Sequence, residues 1–502
     1  MGLIYDSYQD LKPKFSESRP FIDKVLEELD KSEDNFLVEA PTGYGKTAIT
    51  LSLAKSELEG GYKLVVAYPL RSLIEDQERK FKKFFGNAVG VRYMGREDSP
   101  YLIHPISLTT VDTLSLVSIG LSPEDTKNVY QGLYGTNYGS LGHYMFSWSS
   151  IFTSSVVLDE VHLLYDSVKS LSYLYALQKI SQNFGMRVIM LSATLPSSFT
   201  IPGVKQLSFR QEDDEDFFKK RAKKEYPITM LEFDRAEVLQ QLAKIVEERK
   251  GKKILVYFNT VSDAVHFYKM LGEESKVLVH SRFSKEDREK KIEEIFKKRV
   301  IITTQALEAG VDISSEVLIT ELAPANSIIQ RAGRFLRFEE MKGEVFIFKT
   351  EDTLNTGVYD YELMERTWSF LQNHSSLNLH VGYKELLDYV YTEQPEIDTK
   401  FVDKIISIIT DLTRPTESAM KFLLKNEGSL IRDGNIFNVV VDGVEFPANF
   451  NLMEKYCGKV QCQEGKEEYC PRSEEEAIIM GLKGCKFILT GNYSHELGFE
   501  GE

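Results

Sequence analysis

Phe36-Leu37-Val38-Glu39-Ala40-Pro41-Thr42-Gly43-Tyr44-Gly45-Lys46-Thr47 is the stretch on which the reading of this chain turns. A short apolar run ends in a loop with two glycines, a lysine and a threonine, and helix-forming residues follow. Strand, glycine loop and helix in that order are the context a phosphate loop needs. Gly43 and Gly45 let backbone N–H groups converge on phosphate oxygens, assisted by the helix N-terminus. Lys46 is expected to neutralise the β- and γ-phosphates and Thr47 to ligate Mg²⁺. Thr42 and Tyr44 complete the cradle, so ATP and Mg²⁺ are the expected ligands. The strict phosphate-loop pattern opens on glycine; here Ala40 stands in that place.

Outward from this loop, short β-branched runs recur at 36–40, 63–69, 155–160, 187–194, 253–260, 276–281, 299–304, 316–322 and 343–349. None alternates strictly, as expected of strands buried on both faces of a parallel sheet. Helical patterns lie between many of them, at 47–58, 72–85, 168–184, 238–250, 261–271 and 285–298. That alternation predicts an α/β protein. The pattern pauses at 210–225, where six acidic and six basic residues read as a link between two lobes. A stretch rich in Gly, Ser and Tyr, 120–150, reads as a surface insertion. The expected division is a first lobe 1–209, a charged linker 210–225, a second lobe 226–350 and a smaller C-terminal domain 351–502.

Composition narrows the function. The 502 residues carry 61 Lys plus Arg against 76 Asp plus Glu, a net charge of −15. This argues against a histone-like coat or a polybasic membrane binder. It leaves room for an enzyme that grips nucleic acid locally through amides, hydroxyls and a few arginines. No apolar run is long enough to span a bilayer, and the N-terminus does not read as a signal peptide. A cytoplasmic protein with no membrane partner is expected.

A second chemical motif is Asp159-Glu160-Val161-His162, which closes the strand at 155–158. There Asp159 is expected to hold the metal and Glu160 to activate the attacking water. Ser192-Ala193-Thr194, Thr303-Thr304-Gln305, Ala309-Gly310-Val311-Asp312 and Gln330-Arg331-Ala332-Gly333-Arg334-Phe335-Leu336-Arg337 follow in order. Arg334 and Arg337, three apart, are expected on one helix face, reaching the γ-phosphate from the second lobe. Gln330 is expected to position water, and Gly310 and Asp312 to line the nucleotide site. In this order the motifs resemble a superfamily-two DExH helicase over residues 36–340, including Ala40 in the phosphate loop. That resemblance implies two tandem RecA-like parallel-sheet lobes with ATP between them.

A motor of this kind tracks a strand with loops at strand ends. The candidate contacts are Arg71, Thr109, Thr110, Asn259, His280, Ser281, Arg282, Thr303 and Thr304. Asp159–His162 with Asp166, Tyr68-Pro69-Leu70-Arg71 with Gln77, and 278–283 followed by Asp287-Arg288 are similar to the CRISPR-associated helicase of type I interference systems. The resemblance implies an ATP-dependent translocase on single-stranded DNA. It also implies recruitment by a Cascade-type crRNA complex, a metal-dependent HD nuclease as the recipient of the strand, and a C-terminal domain over the channel.

Two departures matter. None of the eight histidines precedes an Asp, so an HD metal set is missing and the expected form is split, with the nuclease a separate polypeptide. Arg19-Pro20-Phe21 resembles the start of an adenine-reading motif, but Ile22 stands where glutamine is usual. Cys457, Cys462, Cys470 and Cys485 fall within 29 residues. Their spacing does not match a zinc ribbon and leaves metal, disulfides and buried thiols open. Two other functions fit the same motifs: a superfamily-two DNA repair or RNA helicase, and a nucleotide-regulated scaffold without unwinding.

Overall fold

The computed structural model describes residues 3–501 except 16, 18, 94, 95, 124, 125, 136–143, 166, 356, 412–414 and 463–466. Asp166 and part of the 120–150 stretch therefore lie outside the described residues.

The β-branched runs are strands because both their faces are covered. Eight strands form the first sheet, in the order 96–97, 89–93, 106–110, 64–68, 155–158, 188–192, 36–39, 205–208. All neighbours run parallel except the short edge strand Arg96–Glu97. The second sheet has six parallel strands, 276–279, 300–303, 254–257, 317–321, 344–349 and 228–232. In both sheets the glycine- and hydroxyl-bearing loops follow the carboxyl ends of parallel strands, so they crowd along the carboxyl edge, where open α/β sheets bind ligands.

The charged stretch 210–225, expected as a link, also feeds a core. It contains the helix Glu215–Ala222, and Phe217 of that helix is buried in the first lobe's core beside Phe21, Tyr44 and Phe209. Twelve charges drew attention away from one ring, whose burial is worth about 1.5–3 kcal/mol. The 120–150 stretch is also more than a surface insertion. Its helix Thr126–Tyr134 buries Val129 and packs on the helices Pro415–Lys425 and Glu474–Leu482.

After residue 350 the chain forms two units. Helices Tyr361–Asn373, Tyr383–Val390, Thr399–Thr410 and Pro415–Lys425 share one apolar core with both lobes. The third of these helices lies on Val168–Phe184 of the first lobe. Helix Tyr383–Val390 sits between the lobes. Lys384 donates to both carboxylate oxygens of Glu39 (2.9 and 3.1 Å) and to the carbonyl of Leu195 (2.7 Å). Tyr391, just beyond the helix, contacts Asn326 of the second lobe through its hydroxyl (2.8 Å). The second unit is a mixed five-stranded sheet with a terminal hairpin, Asn492–Ser494 and Gly498–Glu500. Its cysteines pair as Cys457–Cys470 and Cys462–Cys485. Among the described residues no helix is long and apolar enough to cross a membrane.

Candidate nucleotide site and strand channel

The phosphate loop runs from the strand Phe36–Glu39, which lies between 188–192 and the edge strand 205–208, into the helix Thr47–Glu59. Gly43 and Gly45 have φ of 77° and 98°, values that favour glycine, so this turn of the loop excludes most side chains. Lys46 is buried and donates to the carbonyl of Ala40 at 3.0 Å, which bends it back over the loop. Tyr44 points the other way. Its ring is in the core and its hydroxyl donates to Asp214 (3.0 Å) while accepting from the Phe21 amide (3.1 Å). Tyr44 thus shapes the loop from below and has no side-chain role towards phosphate.

Asp159 ends its strand buried, with one oxygen accepting from the Glu160 amide at 2.8 Å. Glu160 adopts a left-handed conformation, φ 55°, which turns its carboxylate out of the strand direction. Burial and the neighbouring Glu160 raise the Asp159 pKa to about 7. Burial also pushes Glu160 up, but Lys46, Arg334 and Arg337 outweigh it and hold Glu160 below the ordinary carboxylate range. His162 is buried 3.3 Å from Glu160, and burial lowers its pKa to about 4, so it is a neutral acceptor. Its Nδ1 lies 3.4 Å from both Ser192 Oγ and the Ala193 amide, which joins the DEVH and SAT segments.

The second lobe contributes a turn, and here the sequence expectation is corrected. The helix ends at Ala332 with Gly333 as its cap, so Arg334 and Arg337 lie in the turn beyond it and not on a helix face. Leu336 takes φ 45°, and Phe335 bridges to Ser315. The two arginines therefore differ in surroundings. Arg337 pairs with Asp312 (2.5 Å) and donates to the carbonyl of Gly333 (3.2 Å). Arg334 is buried, and among the described residues its Nε and Nη1 have no acceptor. An unpaired buried guanidinium costs several kcal/mol, so an anion belongs beside it. Gln330, expected to hold water, donates instead to Thr194 Oγ1 (3.0 Å) across the lobes.

Gly310 and Asp312 also have other work. Gly310 (φ 86°) touches the first lobe, since a Cβ there would lie 3.1 Å from the backbone of Ser72, and Asp312 holds Arg337. Arg221, missed in the sequence, donates to the carbonyl of Thr42, and Gly333 abuts Thr42 from the second lobe. The donor set fits a nucleoside triphosphate with its cation. Backbone amides at positive-φ glycines, Lys46 and the unpaired Arg334 suit the phosphates, and Thr47 and Asp159 suit Mg²⁺.

The expected strand contacts divide. Thr109 and Thr303 are fully buried and donate to the carbonyls of Arg92 (2.6 Å) and Val279 (2.8 Å). Thr110 caps the helix Val111–Ser118. Thr304 is buried. Asn259 is spent on the carbonyl of Leu322 (2.7 Å) and on Arg331 (3.3 Å). His280 bonds to the carbonyl of Leu497 (3.0 Å) and stacks on Phe283, so it anchors the terminal hairpin. These residues build the loops from beneath, because β-strand ends bury small hydroxyls as readily as they present them. Ser281 is exposed, and Arg71 and Arg282 are half-buried. Arg288 joins them. Among the described residues none of these three arginines has an ion-pair partner. Burial, then Arg432, with Arg288 also contributing, depresses the Arg71 pKa, so this basic cluster is shared by both lobes and the C-terminal part. Arg432 itself bridges to Asp112 (2.8 Å) and the carbonyl of Pro69 (2.7 Å). Nothing in its local sequence marks Arg432 out; only the packing does.

Comparison with known proteins bears on the fold. Residues 19–200 match the model of the DEAD/DEAH box helicases, and 250–340 that of the C-terminal part of the CRISPR-associated nuclease/helicase Cas3. The CRISPR-associated helicase Cas3 of Thermoproteus tenax is 27% identical over 403 residues, covering 74% of this chain and 66% of that protein. Among solved structures, T. fusca Cas3 with AMPPNP aligns over 97% of this chain and 66% of its own, at 15% identity and a TM-score of 0.62. A chain of a CRISPR RNA-guided surveillance complex in a pre-nicking state aligns over 98% and 69%, with a TM-score of 0.60. The chain spans only half the length of two further curated Cas3 proteins.

Proposed function

We propose that this chain, which matches helicase family models over residues 19–200 and 250–340, is an ATP-driven motor that draws single-stranded DNA through the basic channel between its lobes. One observation carries the reading: Arg334, from the second lobe, brings two unpaired buried donors to the first lobe's Lys46 and Glu160. Charge of both signs converges from separate bodies on one point, as γ-phosphate hydrolysis requires.

Each residue has a distinct task. Lys46 and the amides of the glycine loop bind the β- and γ-phosphates. Thr47 and Asp159 hold Mg²⁺, which offsets phosphate charge when bound. Glu160, ionised at neutral pH, accepts the proton of the attacking water as the new bond to γ-phosphorus forms and the bridging bond to the β-phosphate oxygen breaks. Arg334 stabilises the charge that develops, and Arg337, steered by Asp312, adds to the field. Arg71, Ser281, Arg282 and Arg288 grip the strand backbone.

The partner reading goes further. The likeness to a chain of a surveillance complex supports recruitment by a Cascade-type crRNA complex. An HD nuclease is proposed as the recipient of the strand, since these 502 residues contain no His directly followed by Asp. The experiment is ATP turnover by wild type and Glu160→Gln with single-stranded DNA, RNA or no polymer. DNA-stimulated turnover that Glu160→Gln abolishes while still binding ATP is expected. Stimulation by RNA alone would make it an RNA helicase. Nucleotide binding without turnover under any condition would make it a scaffold.

A further inference from the structure

The turn that carries Arg334 is held from outside its own lobe. Phe335, the next residue, is fully buried. Its ring meets Tyr226 edge-on at 4.9 Å, and its carbonyl lies 2.8 Å from Nε2 of His380. The other ring nitrogen, Nδ1, lies 2.9 Å from the Tyr226 hydroxyl. A carbonyl only accepts, so Nε2 carries the imidazole proton and Nδ1 accepts from Tyr226. Burial, and then the charge of Arg221, keeps this imidazole neutral.

The same short segment grips the connection between the lobes. Asn378 donates to the carbonyls of Arg221 and Lys224, both at 3.1 Å, at the end of the helix that reaches the phosphate loop. Its side-chain oxygen accepts from the His380 amide at 2.9 Å. Residues 378–380 thus tie three things together: the connecting segment, Tyr226 and the arginine turn. Lys224 supports the far side of that turn through the carbonyls of Leu336, Phe338 and Glu340.

We propose that His380 is a positioning residue for ATP hydrolysis: its Nε2–H, donated to the Phe335 carbonyl, sets the turn that aims Arg334 at the nucleotide, while its Nδ1 only accepts from Tyr226. The proposal rests on the hydrolysis reading above. Its logic is geometric. Among the described residues the Nε and Nη1 of Arg334 have no acceptor to orient them, so the backbone on either side must do so. Phe335 is one bond away, and a peptide plane that rotates at residue 335 redirects the guanidinium. A group that acts only on Arg334 acts in the transition state, so its loss appears in kcat and not in KM.

Two isosteres separate the contacts. Glutamine places an N–H near Nε2 and keeps the bond to Phe335. Asparagine reaches only the Nδ1 position and keeps Tyr226. Steady-state ATP turnover with saturating single-stranded DNA is measured for wild type, His380→Gln, His380→Asn and Tyr226→Phe, with thermal melting of each. His380→Asn should lower kcat by about tenfold or more, with KM for ATP and DNA affinity within about twofold. His380→Gln and Tyr226→Phe should retain kcat within about threefold. Equal losses in His380→Asn and His380→Gln, a loss that falls in KM, or wild-type turnover by His380→Asn would each overturn the proposal. Should both His380 variants melt below the assay temperature, Tyr226→Phe decides: a kcat loss of tenfold there puts the work on the other nitrogen and sinks the assignment. A wild-type chain without ATPase activity would instead remove the hydrolysis reading itself.

Discussion

Arg334 and Arg337 stand three residues apart in one motif, yet the fold treats them differently. Arg337 is half neutralised by Asp312, whereas Arg334 keeps two buried donors free. The greater share of transition-state stabilisation therefore belongs to Arg334. Arg334→Ala should lower kcat by about a thousandfold, in the range of arginine fingers, with ATP affinity little changed. Asp312→Asn loosens only Arg337 and should cost about tenfold. Single-turnover hydrolysis with nucleotide binding measured separately tests this. If Asp312→Asn costs as much as Arg334→Ala, the two arginines work as one unit and the division is wrong. The identity of both arginines was legible in the motif. Their difference was not, because it arises from a helix that stops at Gly333 and from a partner 25 residues upstream.

Elements show the same limit. The helix Glu215–Ala222 looks like a solvated linker when charges are counted. Its real constraint is Phe217 against Tyr44 and Phe209, which brings Arg221 to the carbonyl of Thr42. Phe217→Ala should release this helix from the phosphate loop. The expected outcome is a stability loss of about 3 kcal/mol and a rise in the KM for ATP that exceeds the fall in kcat. Calorimetry and steady-state kinetics check it; an unchanged KM would mean that the helix does not support the loop. A second element-scale prediction concerns the stapled sheet. The two disulfides close loops with separations of 13 and 23 residues. Each should contribute about 3 kcal/mol through the unfolded chain's entropy. Reduction should speed amide exchange in 436–500 and leave the first lobe's central strands protected. Uniform exchange before and after reduction would show that the small core of Phe437, Val439 and Phe487 suffices alone.

Across the whole molecule, the C-terminal part is a strap. It pairs Lys384 with Glu39 of the first lobe, Tyr391 with Asn326 of the second, and the terminal hairpin with His280. The basic cluster of Arg71, Arg282 and Arg288 lies where these bodies meet. With a net charge of −15 the molecule has no general attraction for phosphate, so binding must come from this local cluster. Arg288→Ala should weaken single-stranded DNA by about tenfold and lower the salt slope of log K by about 0.7, one phosphate's worth. Arg432→Ala should weaken binding less, because Arg432 already answers Asp112. Affinity titrations at several salt concentrations decide. A salt slope that Arg288→Ala leaves unchanged would place the strand elsewhere.

The sequence by itself determined the α/β class, most of the central strands, the phosphate loop and the acidic pair at the end of the strand Ser155–Leu158. These are local facts: β-branched runs cannot be solvated, and a glycine loop between strand and helix has few other uses. The tertiary structure alone decided which hydroxyls face inward and that Arg334 is free while Arg337 is not. It also decided that cysteines ambiguous by spacing pair as two disulfides, and that His380 reaches Phe335 across 45 residues. Each of these depends on which partner stands opposite, and a partner distant in the chain leaves no mark on the residues around the one it meets.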